Sequence, residues 1–261
     1  MGKMHSRRSQ WFSSLIALAV VIGWCCRLSA APINYGNFNG TNVMYLGVTE
    51  DSSTDPTPLF GPPTVTNDSL SFNPVSFGAT ATGAGGVDIT DGSLKSTIMT
   101  VGSKRIHKVS FAEAGDYTFA GSTGTTATAA SVGAGFFLQV IELDGVGVAP
   151  IAINGNMAFT PSGGTFDFVN DPHGPAAIWN GTVNFDIDAA LAAQNITGQA
   201  TKILLSLDNT LLATSEAGTA SIIKKKTFDG VSIIVDTNVP EPASMAFVAL
   251  AGTALLIRRK A

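Results

Sequence analysis

The sequence predicts an all-β protein, a β-sandwich of jelly-roll-like type, and three observations carry the prediction. Short segments of alternating apolar and polar residues recur along the chain, Gly, Asn and Pro turns separate them, and helical periodicity is almost absent between the two ends. Alternation with a period of two is the pattern of a strand that is buried on one face only. Many short strands at regular spacing favour a sandwich over other folds.

The N-terminus has the layout of a secretory signal peptide. Basic residues that include Arg7 and Arg8 precede an apolar run at 15–24, and small residues follow at 29–31. This order matches the n-region, h-region and cleavage site of a leader, and we predict cleavage after Ala30. Arg7 and Arg8 also permit a twin-arginine signal. Gln10 stands where that signal needs an apolar residue, so export of the unfolded chain is favoured.

The exported region lacks cysteine and is acidic. Cys25 and Cys26 are the chain's two cysteines, and both lie within the predicted leader. The exported region therefore cannot use disulfides and depends on its own core. Four of the 15 Lys and Arg precede residue 31 and three follow residue 239, whereas 18 of the 19 acidic residues lie between, which leaves a net charge of about −10. Such a charge argues against binding to nucleic acid.

The first half alternates predicted strands with turns. Residues 34–42 are rich in Asn and Gly and are predicted to form turns. The four prolines between 56 and 63 exclude a central strand and indicate a surface loop. The predicted strands are residues 43–50, 69–77, 94–101, 105–112 and 117–121. The predicted turns between them are Gly83–Gly86, Asp91-Gly92 and Gly115-Asp116.

The second half continues this pattern with one short helix. Residues 135–144 form the strongest candidate for a buried strand, and 121–135, a run of small residues, is expected to join the sheet. Asp188 is predicted to cap a helix over 189–194. Residues 221–227 are predicted to form an edge strand that Lys224–Lys226 protect from pairing. The other predicted strands are 146–159, 165–169, 178–186, 203–212 and 231–236.

No catalytic arrangement can be recognised in the exported region. His107 lies in a predicted strand and His173 in a turn, and neither belongs to a G-x-S-x-G or H-E-x-x-H motif. Neighbouring carboxylates of the kind that glycosidases use are present, but spacing raises none above the others. These pairs are Glu50/Asp51, Glu113/Asp116, Glu142/Asp144 and Asp186/Asp188. We therefore name no catalytic residue and expect a protein that is not an enzyme.

No cofactor is predicted, and calcium is the one ligand that the loop carboxylates would suit. Glu50, Asp51 and Asp55 lie in or beside the proline-rich loop, and Asp88 and Asp91 form a second cluster. Carboxylate and carbonyl oxygens are the donors that Ca²⁺ prefers. Neither cluster has EF-hand spacing, and solvated turns are the favoured interpretation of both.

Carbohydrate binding by a sandwich usually requires exposed aromatic side chains on one face. Trp179 is the single tryptophan after the leader, and it shares a strand face with Val183 and Phe185. This pattern favours packing of Trp179 in the core over a sugar-binding platform.

The C-terminus combines a proline motif, an apolar run and a basic end. Pro240, Glu241 and Pro242 form a stiff linker, because each proline fixes its own φ and restricts its neighbour. Residues 243–257 carry no charge and would span about 23 Å as a helix, somewhat less than a hydrocarbon core of about 30 Å. Arg258 and Arg259 follow and would remain on the cytoplasmic side.

This tripartite tail resembles the PEP-CTERM sorting signal of bacterial exported proteins. The resemblance rests on Pro240-Glu241-Pro242, the apolar run and Arg258-Arg259, and a plain stop-transfer helix is the alternative. It implies that exosortase, a membrane protease and transpeptidase, cuts near the motif and passes the protein to the cell surface or matrix. The predicted regions are then a signal peptide (1–30), a sandwich ectodomain (31–237) and the sorting signal (238–261). Segments of the first half, among them N-F-N-G and F-A-E-A-G-D-Y, resemble uncharacterised exported PEP-CTERM proteins, which implies no activity.

Three functions follow from the sequence as hypotheses. The first is a non-enzymatic protein of the cell surface or extracellular matrix, the second a carbohydrate- or calcium-binding module, and the third an unrecognised hydrolase. The expected partners are exosortase, the membrane through the C-terminal helix before processing, and extracellular polysaccharide, but not nucleic acid. Exposed aromatics would favour the second hypothesis, and converging carboxylates or a histidine-centred triad the third.

Overall fold

The computed structural model describes residues 31–173, 175–226 and 230–238, and these residues form two antiparallel sheets. In chain order the strands are β1 (Ile33–Asn39), β2 (Val43–Asp51), β3 (Thr64–Thr66), β4 (Ser69–Phe72), β5 (Gly78–Thr82), β6 (Gly86–Thr100), β7 (Arg105–Gly121), β8 (Ala129–Leu143), β9 (Val146–Ile153), β10 (Ala158–Thr160), β11 (Thr165–Asp167), β12 (Ala177–Asp186), β13 (Ala200–Ser215), β14 (Thr219–Lys225) and β15 (Val231–Asn238). A single α-helix in the described part, α1 (Ile187–Ala193), follows β12. The prediction of an all-β protein is confirmed.

The two sheets have long central strands. The seven-stranded sheet has the order β1-β2-β6-β13-β8-β11, with β9 also paired to β8. The eight-stranded sheet has the order β10-β12-β7-β15-β4-β3, with β14 paired to both β5 and β7. Consequently β13 and β7, the longest strands, each have neighbours on both sides.

Alternating side chains build one core between the sheets. In β13, Leu205 and Leu207 are buried while Asp208 between its buried neighbours points outward, as the period of two requires. Aromatic rings join the two layers: the ring of Tyr117 in the eight-stranded sheet stacks on that of Phe166 in the seven-stranded sheet, with centroids 4.1 Å apart. The sheets therefore pack face to face as a sandwich.

Two turns predicted from glycines are wrong. Asp91-Gly92 lies inside β6 and Gly115-Asp116 inside β7, and both strands run on without interruption. At both positions a neighbouring aromatic ring occupies the space that a side chain would need. A Cβ on Gly92 would lie 2.8 Å from the Phe77 ring, and one on Gly115 would lie 2.2 Å from the Trp179 ring. Glycine in a strand commonly marks such a close approach.

The predicted edge strand over 221–227 is also corrected. β14 pairs with β5 on one side and β7 on the other, so it is an interior strand. Lys224 is exposed and faces solvent, whereas Lys225 is fully buried and faces the core. The lysine run therefore does not protect an edge.

The helix begins earlier than predicted. Asp186 is the N-cap of α1 and its carboxylate accepts a hydrogen bond from the Ala189 N–H at 2.9 Å. Asp188, the predicted cap, lies in the first turn, and its carboxylate is 2.5 Å from Nδ1 of His107. In the described part of the chain no helix is long and apolar enough to cross a membrane. The predicted leader (1–30) and all of the predicted sorting signal (238–261) except Asn238 lie outside the described residues.

Candidate functional site

The residues predicted to direct sorting follow the last described strand. β15 ends at Asn238, and Pro240, Glu241, Pro242, Arg258 and Arg259 lie outside the described residues. The candidate sites of the ectodomain are therefore sought on the two sheets and between them.

Among the residues that the structure describes, the outer surface of the seven-stranded sheet carries one large exposed aromatic side chain. Phe137 in β8 is 50% exposed, and its direct cross-strand neighbour is Ser206 in β13, which in turn pairs with Lys95 in β6. Two further rows lie beside this one, and the three rows together are named the Phe137 face. The two rows are Gly135, Asp208 and Ser93, and Gly133, Thr210 and Asp91.

Next to the aromatic ring, the Phe137 face has an open strip. Gly133 and Gly135 have no atom within 4 Å of the position that a Cβ would occupy. Because side chains on one face of a strand repeat every second residue, these glycines leave the sheet bare beside Phe137. An exposed ring beside a bare strip that polar residues border is an arrangement in which a sugar ring can stack and form hydrogen bonds.

The electrostatics of this face are dominated by Asp91 and Asp208. The carboxylate of Asp91 accepts hydrogen bonds from Thr210 Oγ1 at 2.9 Å and from Ser53 Oγ at 3.3 Å. The pKa of Asp208 is raised, first by burial and then by the negative charge of Asp91, while Lys95 opposes the shift. The face thus favours a neutral or cationic ligand over an anionic one.

Glu50, one of the loop carboxylates, is engaged by groups of the chain itself. Glu50 is fully buried, and its two oxygens accept hydrogen bonds from the backbone N–H groups of Leu59, Phe60 and Gly61 and from the hydroxyl of Tyr35. The role of Glu50 is therefore to hold the proline-rich loop against β2. Across the residues that the structure describes, no group of three or more His, Cys, Asp or Glu side chains could hold a metal ion.

The other predicted carboxylates and histidines are engaged locally. Glu142 accepts hydrogen bonds at 2.7 Å from both Lys202 Nζ and Thr201 Oγ1, which lower its pKa. Asp144 pairs with Arg105 at 3.3 Å. His173 contacts the carbonyl oxygen of Phe168 through Nε2. These contacts tie turns to neighbouring strands.

A second candidate site lies between the sheets. Lys225 Nζ donates a hydrogen bond to Glu113 Oε2 at 2.6 Å, and both side chains are 0% exposed. The rings of Phe77 and Trp179 cover the amine at 5.1 and 5.4 Å from their centroids. Burial lowers the pKa of Lys225, and the charge of Glu113 opposes the shift. Transfer of charged groups out of water costs free energy, so a fully buried ion pair is unusual in the core of a sandwich.

Five buried polar atoms on β7, β12 and β13 have no hydrogen-bond partner among the described residues. They are Glu113 Oε1, the Tyr117 hydroxyl, Trp179 Nε1 and both amide atoms of Asn209. Together with Lys225 these residues are named the interior polar cluster. Buried polar groups without partners are rare, and each one calls for an explanation.

Sequence reasoning missed both sites. The apolar run at 135–144 predicts a buried strand and hides the exposed position of Phe137, although alternation from Leu138 assigns Phe137 to the outer face. No sequence pattern singles out Asp208. Lys225 belongs to the lysine run, Lys224–Lys226, that is predicted to protect an edge strand. The spacing of Ser221, Ile223 and Lys225 would have placed it on the inward face, but only pairing with β5 and β7 shows that the face is buried.

One comparison with known proteins concerns the C-terminal tail. Residues 238–260 match the family model of the PEP-CTERM protein-sorting motif. The chain carries a PEP-CTERM sorting motif. The resemblance drawn from Pro240-Glu241-Pro242 and the following apolar and basic residues is thereby confirmed, and the motif indicates an exported protein. The individual roles of Arg258 and Arg259 remain predictions.

Similarity beyond the motif is faint. No curated protein sequence matches the chain. TmCBM61 in complex with β-1,4-galactotriose has 9% identity over 58% of this chain and 70% of its own, with a TM-score of 0.20. Endoglucanase 3 of Trichoderma harzianum, from family GH12, has 9% identity over 79% of this PEP-CTERM protein and 97% of its own chain, with a TM-score of 0.22. The adhesin domain of Epf from Streptococcus pyogenes has 10% identity over 77% and 58%, with a TM-score of 0.20. These scores are too low to transfer a fold or an activity.

Proposed function

We propose that this chain is a non-enzymatic protein of the cell surface or extracellular matrix, a jelly-roll-like sandwich that its PEP-CTERM signal delivers. The observation that carries the proposal is the sorting motif at 238–260. In this account the leader (1–30) is removed on export, and the apolar run at 243–257 holds the precursor in the inner membrane. Exosortase then cuts near Pro240-Glu241-Pro242 and releases the ectodomain (31–237).

Replacement of the proline motif tests this sorting route. With Pro240, Glu241 and Pro242 changed to alanine, the protein should remain uncut in the inner membrane, because exosortase no longer recognises the linker. Fractionation and immunoblotting measure the processed form. Thr237→Ala, which lies outside the matched motif, is the control and should be processed normally. Release of the triple-alanine variant at the normal level would contradict the proposal.

A second candidate function, carbohydrate binding, is favoured by the Phe137 face. Phe137 is half exposed, Gly133 and Gly135 leave a bare strip beside it, and Ser93, Ser206 and Asp208 supply hydrogen-bonding groups. Stacking on an aromatic ring and hydrogen bonds to hydroxyl groups are the two interactions that sugar recognition uses. The negative charge of Asp91 and Asp208 predicts weak binding of uronate-rich polysaccharides.

A glycan array with the ectodomain tests this second function. Neutral or amine-bearing glycans should bind, and Phe137→Ala should remove that binding because the stacking surface is lost. Ile234→Ala is the matched control, since Ile234 is 45% exposed on the opposite sheet. The assignment fails if no glycan binds or if both variants bind like the wild type.

A further inference from the structure

A gap interrupts the outer edge of β8 beside the Phe137 face. On that side, β9 pairs with residues 138–143 of β8 and β11 pairs with residues 129–131. Between them, residues 132–137 have β13 as their only strand partner, and no backbone hydrogen bond joins them to the 154–164 segment within the described residues. Alternate residues of a strand direct their N–H and C=O groups to opposite neighbours, so about half of these groups point into the gap.

The chain shapes this gap into a cleft. After Ile153 it leaves β8, and Gly155 approaches the core, where the position of a Cβ lies 2.6 Å from the Phe185 ring. At the other end, the corresponding position on Gly164 lies 2.9 Å from the Val132 carbonyl oxygen and limits the gap. The cleft has a volume of about 410 Å³, within the range of small-ligand sites. The residues that line it are Ala134, Gly135, Phe136, Asn154, Gly155 and Asn156.

Two amide side chains border the cleft opposite β8. Asn154 and Asn156 are both exposed, and both line the cleft together with Gly135. Ile153 is the cross-strand partner of Leu138, so Asn154 and Phe137 follow at the point where the pairing ends. Phe137 lies two residues from Gly135 on the same strand face. The exposed ring and the two amides therefore adjoin the bare surface at Gly135.

An acetamido group matches these recognition groups. It carries one N–H donor and one C=O acceptor in a planar unit, as a peptide does, and it can therefore pair with an unpaired strand edge. Asparagine side chains likewise donate and accept hydrogen bonds. Asp91 and Asp208 disfavour acidic sugars, whereas an acetylated amine carries no charge. A sugar ring in the same glycan can stack on Phe137.

We propose, given carbohydrate binding by the Phe137 face, that the ligand is a glycan that contains N-acetylated amino sugars. One sugar ring stacks on Phe137, and the acetamido group of the adjacent sugar enters the cleft. There the edge of β8 and the amides of Asn154 and Asn156 bind it. An extended peptide also pairs with strand edges, but it needs pockets for its side chains. The bare surface at Gly133 and Gly135 offers none and suits a flat sugar ring.

Three β-1,4-linked trisaccharides that differ only at the C2 substituent test the proposal. Calorimetric titration uses the protein purified from the cell surface or medium. The N-acetylglucosamine trimer should bind about tenfold more tightly than the glucose trimer, which lacks the acetamido group. The glucosamine trimer should bind no better than the glucose trimer at high salt, where attraction to Asp91 and Asp208 is screened.

The outcomes separate this ligand class from carbohydrate binding itself. Equal affinities for the acetylated and glucose trimers, or array hits confined to glycans without an N-acetyl group, overturn the acetamido assignment and leave carbohydrate binding intact. If neither a trimer nor any array glycan binds, both are wrong. Capped tri-alanine offers the same amide groups without sugar rings and should not bind. Its binding as tightly as the acetylated trimer would make the cleft a peptide site and overturn the proposal.

Two variants and a matched control locate the ligand. Combined Asn154→Ala and Asn156→Ala should weaken binding of the acetylated trimer about tenfold, because the acetamido group loses its side-chain partners. Asn184→Ala removes an exposed amide from β12 in the other sheet and should bind like the wild type. Gly135→Val should abolish binding, since its side chain enters open space at the cleft, and its melting temperature should be nearly unchanged. Wild-type affinity of the double alanine variant would overturn the proposal.

Discussion

At the scale of single residues, packing of the core requires glycine at positions where a larger side chain would collide with an aromatic ring. Gly115 stands at the centre of β7 with Trp179 on one neighbouring strand and Lys225 on the other. The indole ring lies over the glycine, in the place of its missing Cβ. The sequence predicts a turn at Gly115-Asp116, because glycine beside aspartate is typical of one. Only the tertiary position of Trp179 explains why the strand needs a glycine there.

Gly115→Ala should destabilise the domain by about 3 kcal/mol, since its Cβ would lie 2.2 Å from Lys224 O and from the Trp179 ring. Gly133→Ala is the control, and it should change the free energy of unfolding little because open space surrounds that position. Denaturant unfolding of both variants measures the difference. Equal stabilities would contradict the packing described for Trp179.

Glu50 is the residue on which the proline-rich loop depends. Glu50→Gln should destabilise the fold by about 2 kcal/mol, because a neutral amide accepts the loop N–H groups less strongly than a carboxylate and cannot replace both oxygens. Asp236→Asn, an exposed acid-to-amide change on β15, is the control and should be nearly neutral. The same denaturant titration distinguishes the two. A Glu50 variant as stable as the wild type would show that the loop is held by other contacts.

Asp208 should oppose folding at neutral pH. Its folded-state pKa is raised, so the native state binds more protons than the unfolded chain near the carboxyl pKa, and stability from this group is lost as the pH rises. Asp208→Asn should therefore raise the melting temperature at pH 7, and the gain should disappear at pH 3, where both forms are neutral. A gain that is equal at both pH values would contradict the electrostatic explanation.

At the scale of elements, alternation predicted most strands and failed where one face is not apolar. Residues 231–236 and 178–186 were predicted well because buried Val, Ile and Phe mark every second position. The sequence of β1 predicts turns instead of a strand, because its Asn and Gly residues hide the alternation and two register shifts interrupt it. The sequence of β14 predicts an edge strand, because its pairing with β5 and β7 is a non-local property that the local pattern does not contain.

The start of α1 gives a test at this scale. Asp186→Ala should destabilise the domain by about 1 kcal/mol, because the Ala189 N–H loses its acceptor. Asp186→Ser is the control and should retain most of the stability, since serine also caps helices well. Thermal unfolding followed by circular dichroism measures both. If both variants melt together with the wild type, Asp186 does not cap the helix.

At the scale of the whole molecule, the C-terminal tail indicates export, whereas the sandwich does not by itself indicate a biochemical role. The sorting motif was legible from the sequence because its proline, apolar and basic parts lie together within 238–260. The candidate sites of the ectodomain could not be predicted from the sequence. The Phe137 face combines residues from β6, β8 and β13. The interior polar cluster combines residues from β7, β12, β13 and β14. Such sites exist only once strands have been paired.

Terminal peptide analysis of the protein recovered from the cell surface or medium tests the central claim most directly. The account predicts a first residue at Ala31 and a last residue near Pro240-Glu241-Pro242, because the leader and the membrane segment are both removed during export and sorting. Mass spectrometry of the two terminal peptides reads both ends in one experiment. Surface protein that still ends at Ala261 would contradict the account.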